Sequence, residues 1–171
     1  MTITTATTAT ATATVEPGPA GEPAPTTHYL EPGRGTLLFN KVALRLARLG
    51  LSLRGSRILV VVGRRSGLER QTVVNPLHHD GHQYLVAPRG TTDWVRNLRA
   101  AGGGELRLGH RTERFTATEV ADDAKVEVLR AYLRNWAWEV GAFFEGVGAG
   151  SSDEELAAIA HRHPVFVTQP A

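Results

Sequence analysis

Residues 58–77 read ILVVVGRRSGLERQTVVNPL: an apolar strand, a turn that sets two adjacent arginines between two glycines, and a second strand entered through Arg70. Successive backbone N–H groups in a glycine-bounded turn can form an anion nest. Arg64, Arg65 and Arg70 add planar guanidinium forks, and Ser66 adds a hydroxyl donor. A charge-assisted hydrogen bond of this kind contributes about 1.5–3 kcal/mol. The turn Gly63 to Gly67 therefore reads as a place to hold an anion, a phosphate above all. The competing reading is a solvated hairpin turn whose arginines keep a sheet edge soluble.

Outward from this turn, Arg57 to Gly63 and Gln71 to His79 are expected to pair as strands. Asp80-Gly81 is a two-residue hairpin signal leading into a strand over His82 to Ala87. Three antiparallel strands are thus expected in succession. Thr92 to Ala101 reads as a short helix, started by Thr92 and stopped by the run Gly102 to Gly104. Glu105 to Leu108 and Thr112 to Val120 form a second hairpin through Gly109-His110, and Asp122 opens a helix that runs to about Trp138. Ser151 or Ser152 ahead of Glu154 and Glu155 is a capping-box pattern for a helix to Arg162, and Pro164 to Thr168 is the last strand. About six short antiparallel strands with helices inserted between them make a mainly β, α+β domain, best arranged as a small, split β-barrel.

Residues 1–27 alternate Thr and Ala and then pass through Pro and Gly, the composition of a disordered tail; residues 28–171 then form a single domain. Neither a secretory signal nor a membrane-spanning run is recognisable. Thr36 to Leu49 places Leu38, Val42, Leu46 and Leu49 on one helical face and Lys41, Arg45 and Arg48 largely off it. This basic amphipathic helix either closes one end of the core or makes weak interfacial contact with a membrane. The expected location is cytoplasmic, peripheral to a membrane if the second reading holds.

Cysteine is absent from the 171 residues, which rules out disulfides, thiolate metal sites and thiol nucleophiles. The formal net charge is only +2, and Lys41 and Lys125 are the only lysines, so the cations are almost all arginine. Their clustering at the turn, with the rest of the chain charge-balanced, points to an anionic small ligand rather than to nucleic acid. His78 and His79 point to opposite faces of a strand, no carboxylate pair joins them at metal-ligand spacing, and the serines lack a nucleophile elbow. With no catalytic machinery of its own in view, the chain is expected to borrow a cofactor for the hard chemical step. Trp136, Trp138, Phe143 and Phe144 can line an apolar site for a planar acceptor, or serve as core or subunit contact.

Four segments in order, GRRSGLERQTVVNPL, YLVAPRG, TDWVRNLRAAGGGELRLG and HPVFVTQP, resemble the deazaflavin-dependent nitroreductase family of split β-barrel proteins over about Leu53 to Pro170. The resemblance implies an FMN-binding-like split barrel, working as a homodimer and carrying the 5-deazaflavin coenzyme F420. Arg64, Arg65, Ser66, Gly67 and Arg70 would then hold its phosphodiester and nearby side chain. Pro76 falls in the proline-leucine pair that ends the second strand of the pattern and joins the implied cofactor-binding set. Val86, Ala87, Pro88, Arg89 and Gly90 would border the ring, with Trp94 and Asn97 completing the wall. The implied reaction is hydride transfer from reduced F420 to a small organic acceptor: a quinone, an enone or a nitroaromatic. The chain departs from relatives that use a serine and several tyrosines around the acceptor. Pro88 stands where the serine is common, and Tyr132 is the only tyrosine in the acceptor region, which makes it the candidate catalytic residue. FMN is the alternative cofactor, and a non-catalytic F420-binding or carrier module the alternative role.

Overall fold

The computed structural model describes residues 55–171; the 1–27 tail and the 36–49 helix expected from the sequence lie outside the described residues. Seven strands form one antiparallel sheet: β1 (Arg57–Val62), β2 (Glu69–Val74), β3 (Leu77–His79), β4 (His82–Val86), β5 (Gly103–Leu108), β6 (Arg111–Glu119) and β7 (Val165–Pro170). Three α-helices interrupt them: α1 (Asp93–Ala101), α2 (Val126–Val140) and α3 (Asp153–Ala160).

The expected second strand, Gln71 to His79, is in fact two strands. Val74 ends β2, Asn75-Pro76 intervenes, and Leu77 begins β3. Pro76 has no N–H to give a ladder and restricts the residue before it, so pairing stops there. The spatial order is β2-β1-β5-β6-β7-β4-β3, which puts β2 and β3 on opposite edges of the sheet rather than side by side. Only two residues join these edges, and three Cα–Cα steps span at most roughly 11 Å. The seven-stranded sheet must therefore curl until its edges approach: it is a split barrel, held half-open at Asn75-Pro76.

Local chemistry explains the other boundaries. The β3–β4 hairpin turns through Asp80 (φ 48°) and Gly81 (φ 75°), the paired left-handed residues that a tight hairpin requires. Gly102 ends α1 in the left-handed conformation, but Gly103 and Gly104 continue directly into β5 rather than prolonging the stop. Ser152 and Glu155 complete the capping box at the start of α3, with the Glu155 N–H donating to Ser152 Oγ and the Ser152 N–H to Glu155 Oε2.

Two large cores flank the sheet, and a small third cluster joins Ile58, Val60 and Leu108 on β1 and β5. Inside the curl lie Leu59, Val61, Leu85, Leu106, Phe115 and Phe166, closed by Val95 and Leu98 of α1. Outside the β3–β4–β7 side, Leu77, Val86 and Val165 pack with Leu129, Tyr132, Leu133 and Trp136 of α2 and with Leu156 and Ile159 of α3. Neighbouring residues of one strand, Leu85 and Val86, or Val165 and Phe166, thus serve different cores, because strand side chains alternate faces. On the outer face, Arg107 bridges Glu69 and Glu105, and Arg114 reaches Glu105 on its other oxygen. Arg107 first, and then Arg114, holds the Glu105 carboxyl below its ordinary range.

Gly104 sits where Phe115 crosses β5, and a Cβ there would lie 2.6 Å from the Val60 carbonyl oxygen. Gly104→Ala is expected to destabilise the fold by about 1–3 kcal/mol, as overpacking does. Gly141→Ala meets open space at an ordinary φ of −54° and should stay within about 0.5 kcal/mol of wild type. Urea denaturation of both variants checks the contrast.

Candidate functional site

The arginine turn is a folded object. The Gly63 N–H donates to the Leu68 carbonyl (2.8 Å), and the Ser66 and Gly67 N–H groups both donate to the Gly63 carbonyl (3.2 and 2.8 Å). The Leu68 N–H donates to Ser66 Oγ at 3.4 Å, and the Arg64 N–H to Asn97 Oδ1 at 3.2 Å. This corrects the expectation of a row of free N–H groups: the turn uses nearly all of its donors to hold its own shape. The groups left to meet an anion are the side chains. A Cβ on Gly63 would sit 2.9 Å from Ser66 Oγ and 3.1 Å from the Leu68 carbonyl oxygen, a tight fit that would push the Ser66 hydroxyl aside.

Asn97, buried on α1, is the clamp. Its Oδ1 accepts from both the backbone N–H and the guanidinium of Arg64 (3.2 and 2.8 Å), tying the turn to the helix across the sequence. Arg64 also donates to Asp93 at 3.3 Å. Arg70 donates to Ser66 Oγ at 3.3 Å, which leaves the hydroxyl proton of Ser66 to be given outward. Arg65 is exposed and makes no hydrogen bond or ion pair among the described residues.

From this turn a cleft of about 920 Å³ runs along β2 between the barrel and α2. It brings together Arg64, Arg65, Ser66, Arg70, Val86, Ala87, Pro88, Arg89, Trp94 and Asn97 of the residues singled out in the sequence. Tyr132, Trp138 and Phe143 line the same cleft. Gly67 shapes the turn at φ +66°, Gly90 turns the chain at φ 76° with its N–H donating to the Ala87 carbonyl (3.1 Å), and buried Pro76 breaks the sheet; none of the three lines the cleft. Trp94 serves twice, lining the cleft and packing on Phe166 with ring centres 6.0 Å apart.

The four aromatics singled out in the sequence divide by geometry. Trp136 and Trp138 are two residues apart on a helix, hence roughly 200° apart around it. Trp136 faces the core, its ring 4.9 Å from Tyr132, while Trp138 is 63% exposed at the cleft mouth. Phe144 is fully buried, stacked on His163 at 4.1 Å, and Phe143 turns into the cleft, with the Arg89 guanidinium carbon 5.9 Å from its ring centre. The glycine-rich segment after them is tied down: Arg130 donates to the carbonyls of Ala149 (3.1 Å) and Ser151 (2.7 Å).

Sequence reading missed several lining residues, chief among them Asn75 and Glu139. Asn75 Nδ2 donates to Glu139 Oε2 at 3.3 Å, and Asn75 also bonds the Tyr132 hydroxyl. Burial, and secondarily the Glu139 charge, pushes the Tyr132 hydroxyl well above its ordinary value of 10.0 against the opposing Asn75 bond, so it is a phenol throughout the neutral range. Glu139 could have been found from its place beside Trp138 on the exposed face of an amphipathic helix; Asn75 has no such signal.

The donor set fits a large anionic cofactor. Guanidiniums gather at one end, and at the cleft wall the buried Thr92 hydroxyl has no hydrogen-bond partner among the described residues, leaving a polar group for a ligand to satisfy. No group of three His, Asp or Glu placed to hold a metal occurs among the described residues, and no helix among them is long and apolar enough to cross a membrane.

No curated protein matches the chain. Among solved structures, one described as a domain-swapped dimer is 15% identical, covering 79% of this chain and 99% of that one with a TM-score of 0.50. Another, described as an F420-H2 dependent reductase (FDR-A), is 16% identical and covers 68% and 95% with a TM-score of 0.48; an F420 reductase is 12% identical and covers 74% and 92% with a TM-score of 0.43. The first of these shares the fold. Residues 41–141 match the profile of the F420H(2)-dependent quinone reductase family, well over half of the chain, and this span contains the arginine turn, α1 and nearly the whole cleft wall. The protein belongs to that family: it is an F420H2-dependent reductase.

Proposed function

We propose that the cleft seats F420 with its phosphate and acidic tail at the arginine turn and its ring toward Val86–Arg89, and that a quinone-type acceptor enters at Trp138 and Phe143. The observation that carries this reading is the polarity of one continuous cleft, cationic at the turn and aromatic at the far end. Arg65 and Arg70 supply charge-assisted bonds, Ser66 gives its hydroxyl proton, and Arg64, already held by Asn97 and Asp93, adds charge in a fixed orientation. Pre-paid orientation of this kind is what a protein contributes when the redox group is borrowed.

When bound, reduced F420 supplies a hydride, and with one proton the acceptor is reduced by two electrons to the quinol level. The chain's own residues position, desolvate and donate. Trp138 and Phe143 offer ring faces to a planar acceptor. Tyr132 keeps its proton at the cleft wall because it is buried, and is the proposed donor to the developing oxyanion. Pro88 at the ring border carries no hydroxyl, which leaves this role to the phenol. The working unit is proposed to be a homodimer in the cytoplasm; the fold-sharing structure is described as a domain-swapped dimer.

Arg65→Ala and Arg70→Ala are each expected to weaken F420 binding roughly ten- to a hundred-fold, as loss of a charge-assisted bond does. Titration read by deazaflavin fluorescence measures this, and full affinity in both variants, or tighter binding of FMN than of F420, would remove the proposed seat. Tyr132→Phe should lower kcat roughly ten- to a hundred-fold while F420 affinity is kept. The raised pKa of Tyr132 also has a sign: its contribution to stability is complete below the unfolded value of 10.0 and is lost above it, because the unfolded chain then ionises and the folded one does not. Alkaline denaturation of wild type should therefore steepen above pH 10.0, and less so in Tyr132→Phe.

A further inference from the structure

The two ends of the cleft differ in charge: the turn end is cationic, and the far end holds the Glu139 carboxylate together with Arg89. β2 leaves the turn at Arg70 and ends at Val74, so Asn75 lies five residues further along an extended chain, roughly 17 Å from Arg70. Glu139, bonded to Asn75 at 3.3 Å, sits at that far end. Roughly 17 Å is about two screening lengths at physiological ionic strength, so the arginine turn does not cancel the field of this carboxylate where an acceptor would lie. The other cleft carboxylate, Asp93, is paired with Arg64 and Arg96, whereas the hydrogen bond of Glu139 comes from a neutral amide. Trp138, its neighbour on α2, is the aromatic face most open to a ligand, and Phe143 stands close behind in sequence. A second charge reaches this end through Arg89, whose guanidinium lies over the face of Phe143.

We infer that Glu139 is a specificity determinant that restricts the acceptor to neutral or cationic planar compounds and rejects those bearing a carboxylate or sulfonate on the ring. This rests on the placement of the acceptor at Trp138 and Phe143 proposed above. An anionic acceptor stacked on Trp138 would bring like charge against the exposed Glu139 carboxylate, and like-charge juxtaposition is how an interface discriminates against wrong partners. Glu139 needs no contact with the reacting atoms for this; its field acts over the whole acceptor pocket.

The test uses the cofactor-free full chain, with naphthoquinone and a naphthoquinone ring sulfonate as probes and quenching of tryptophan emission as the readout. Wild type is expected to bind the neutral quinone more tightly than the sulfonate. Glu139→Gln, which keeps the size and the acceptor oxygen for Asn75, should narrow that ratio about tenfold, and Glu139→Lys should invert it. Added salt should shrink the ratio in wild type and leave it nearly flat in Glu139→Gln. The ratio of kcat/KM values in the F420H2-loaded enzyme should follow the same order. An identical ratio in wild type and Glu139→Gln would overturn the inference, as would a wild-type preference for the sulfonate, which would assign the field of the pocket to Arg89. Quenching undiminished in Trp138→Phe would place the quinone elsewhere and overturn it too. A parallel titration with F420 keeps the outcomes apart: failure to bind F420 removes the proposed function, while the quinone ratios still report on Glu139.

Discussion

Pairing of β2 stops at Asn75-Pro76, and the rest of the molecule is arranged around that interruption. A proline without an N–H cannot continue the ladder, so the chain leaves one edge of the sheet and starts β3 on the other. Two residues cannot bridge a flat seven-stranded sheet, hence the curl, the enclosed core of Leu59, Leu85, Leu106 and Phe166, and the open seam beside β2. α2 packs on the outer face of β3, β4 and β7, and the cleft is the space left between it and β2. The same interruption leaves Asn75 without a strand partner and available to Tyr132 and Glu139.

At the opposite end of β2 the problem is to keep several guanidiniums together. Like charges repel, and a flexible hairpin tip would let them part. The turn answers by hydrogen-bonding its own backbone, and Asn97 answers by anchoring Arg64 to α1 from beneath. Preorganisation of this kind lowers the entropic cost of ligand binding. The cost to the protein is that the backbone donors are occupied, so the proposed recognition of an anion rests on side-chain charge rather than on a nest of N–H groups.

Much of the fold was legible because it follows from local rules. Asp80-Gly81 specified its hairpin, Thr92 and Gly102 bounded α1, and Ser152 with Glu155 capped α3. Apolar runs in β1, β4 and β7 announced strands covered on both faces. The division of Trp136 from Trp138 was also legible in principle, since helical periodicity alone puts them on different faces. Phe143 and Phe144 were not separable in this way, because a short tight turn has no face until its neighbours, Arg89 and His163, are in place.

By itself the sequence determined most of the segments that would be strands and helices and where the positive charge would concentrate, for these depend on residue type and near-neighbour spacing. Only the tertiary structure decided that β2 and β3 part company, that Asn97 spends its carbonyl on Arg64, and that Asn75, Tyr132 and Glu139 meet at one end of the cleft. Those are contacts between residues up to 64 positions apart, set by how a curled sheet brings its edges together, and no local propensity encodes them.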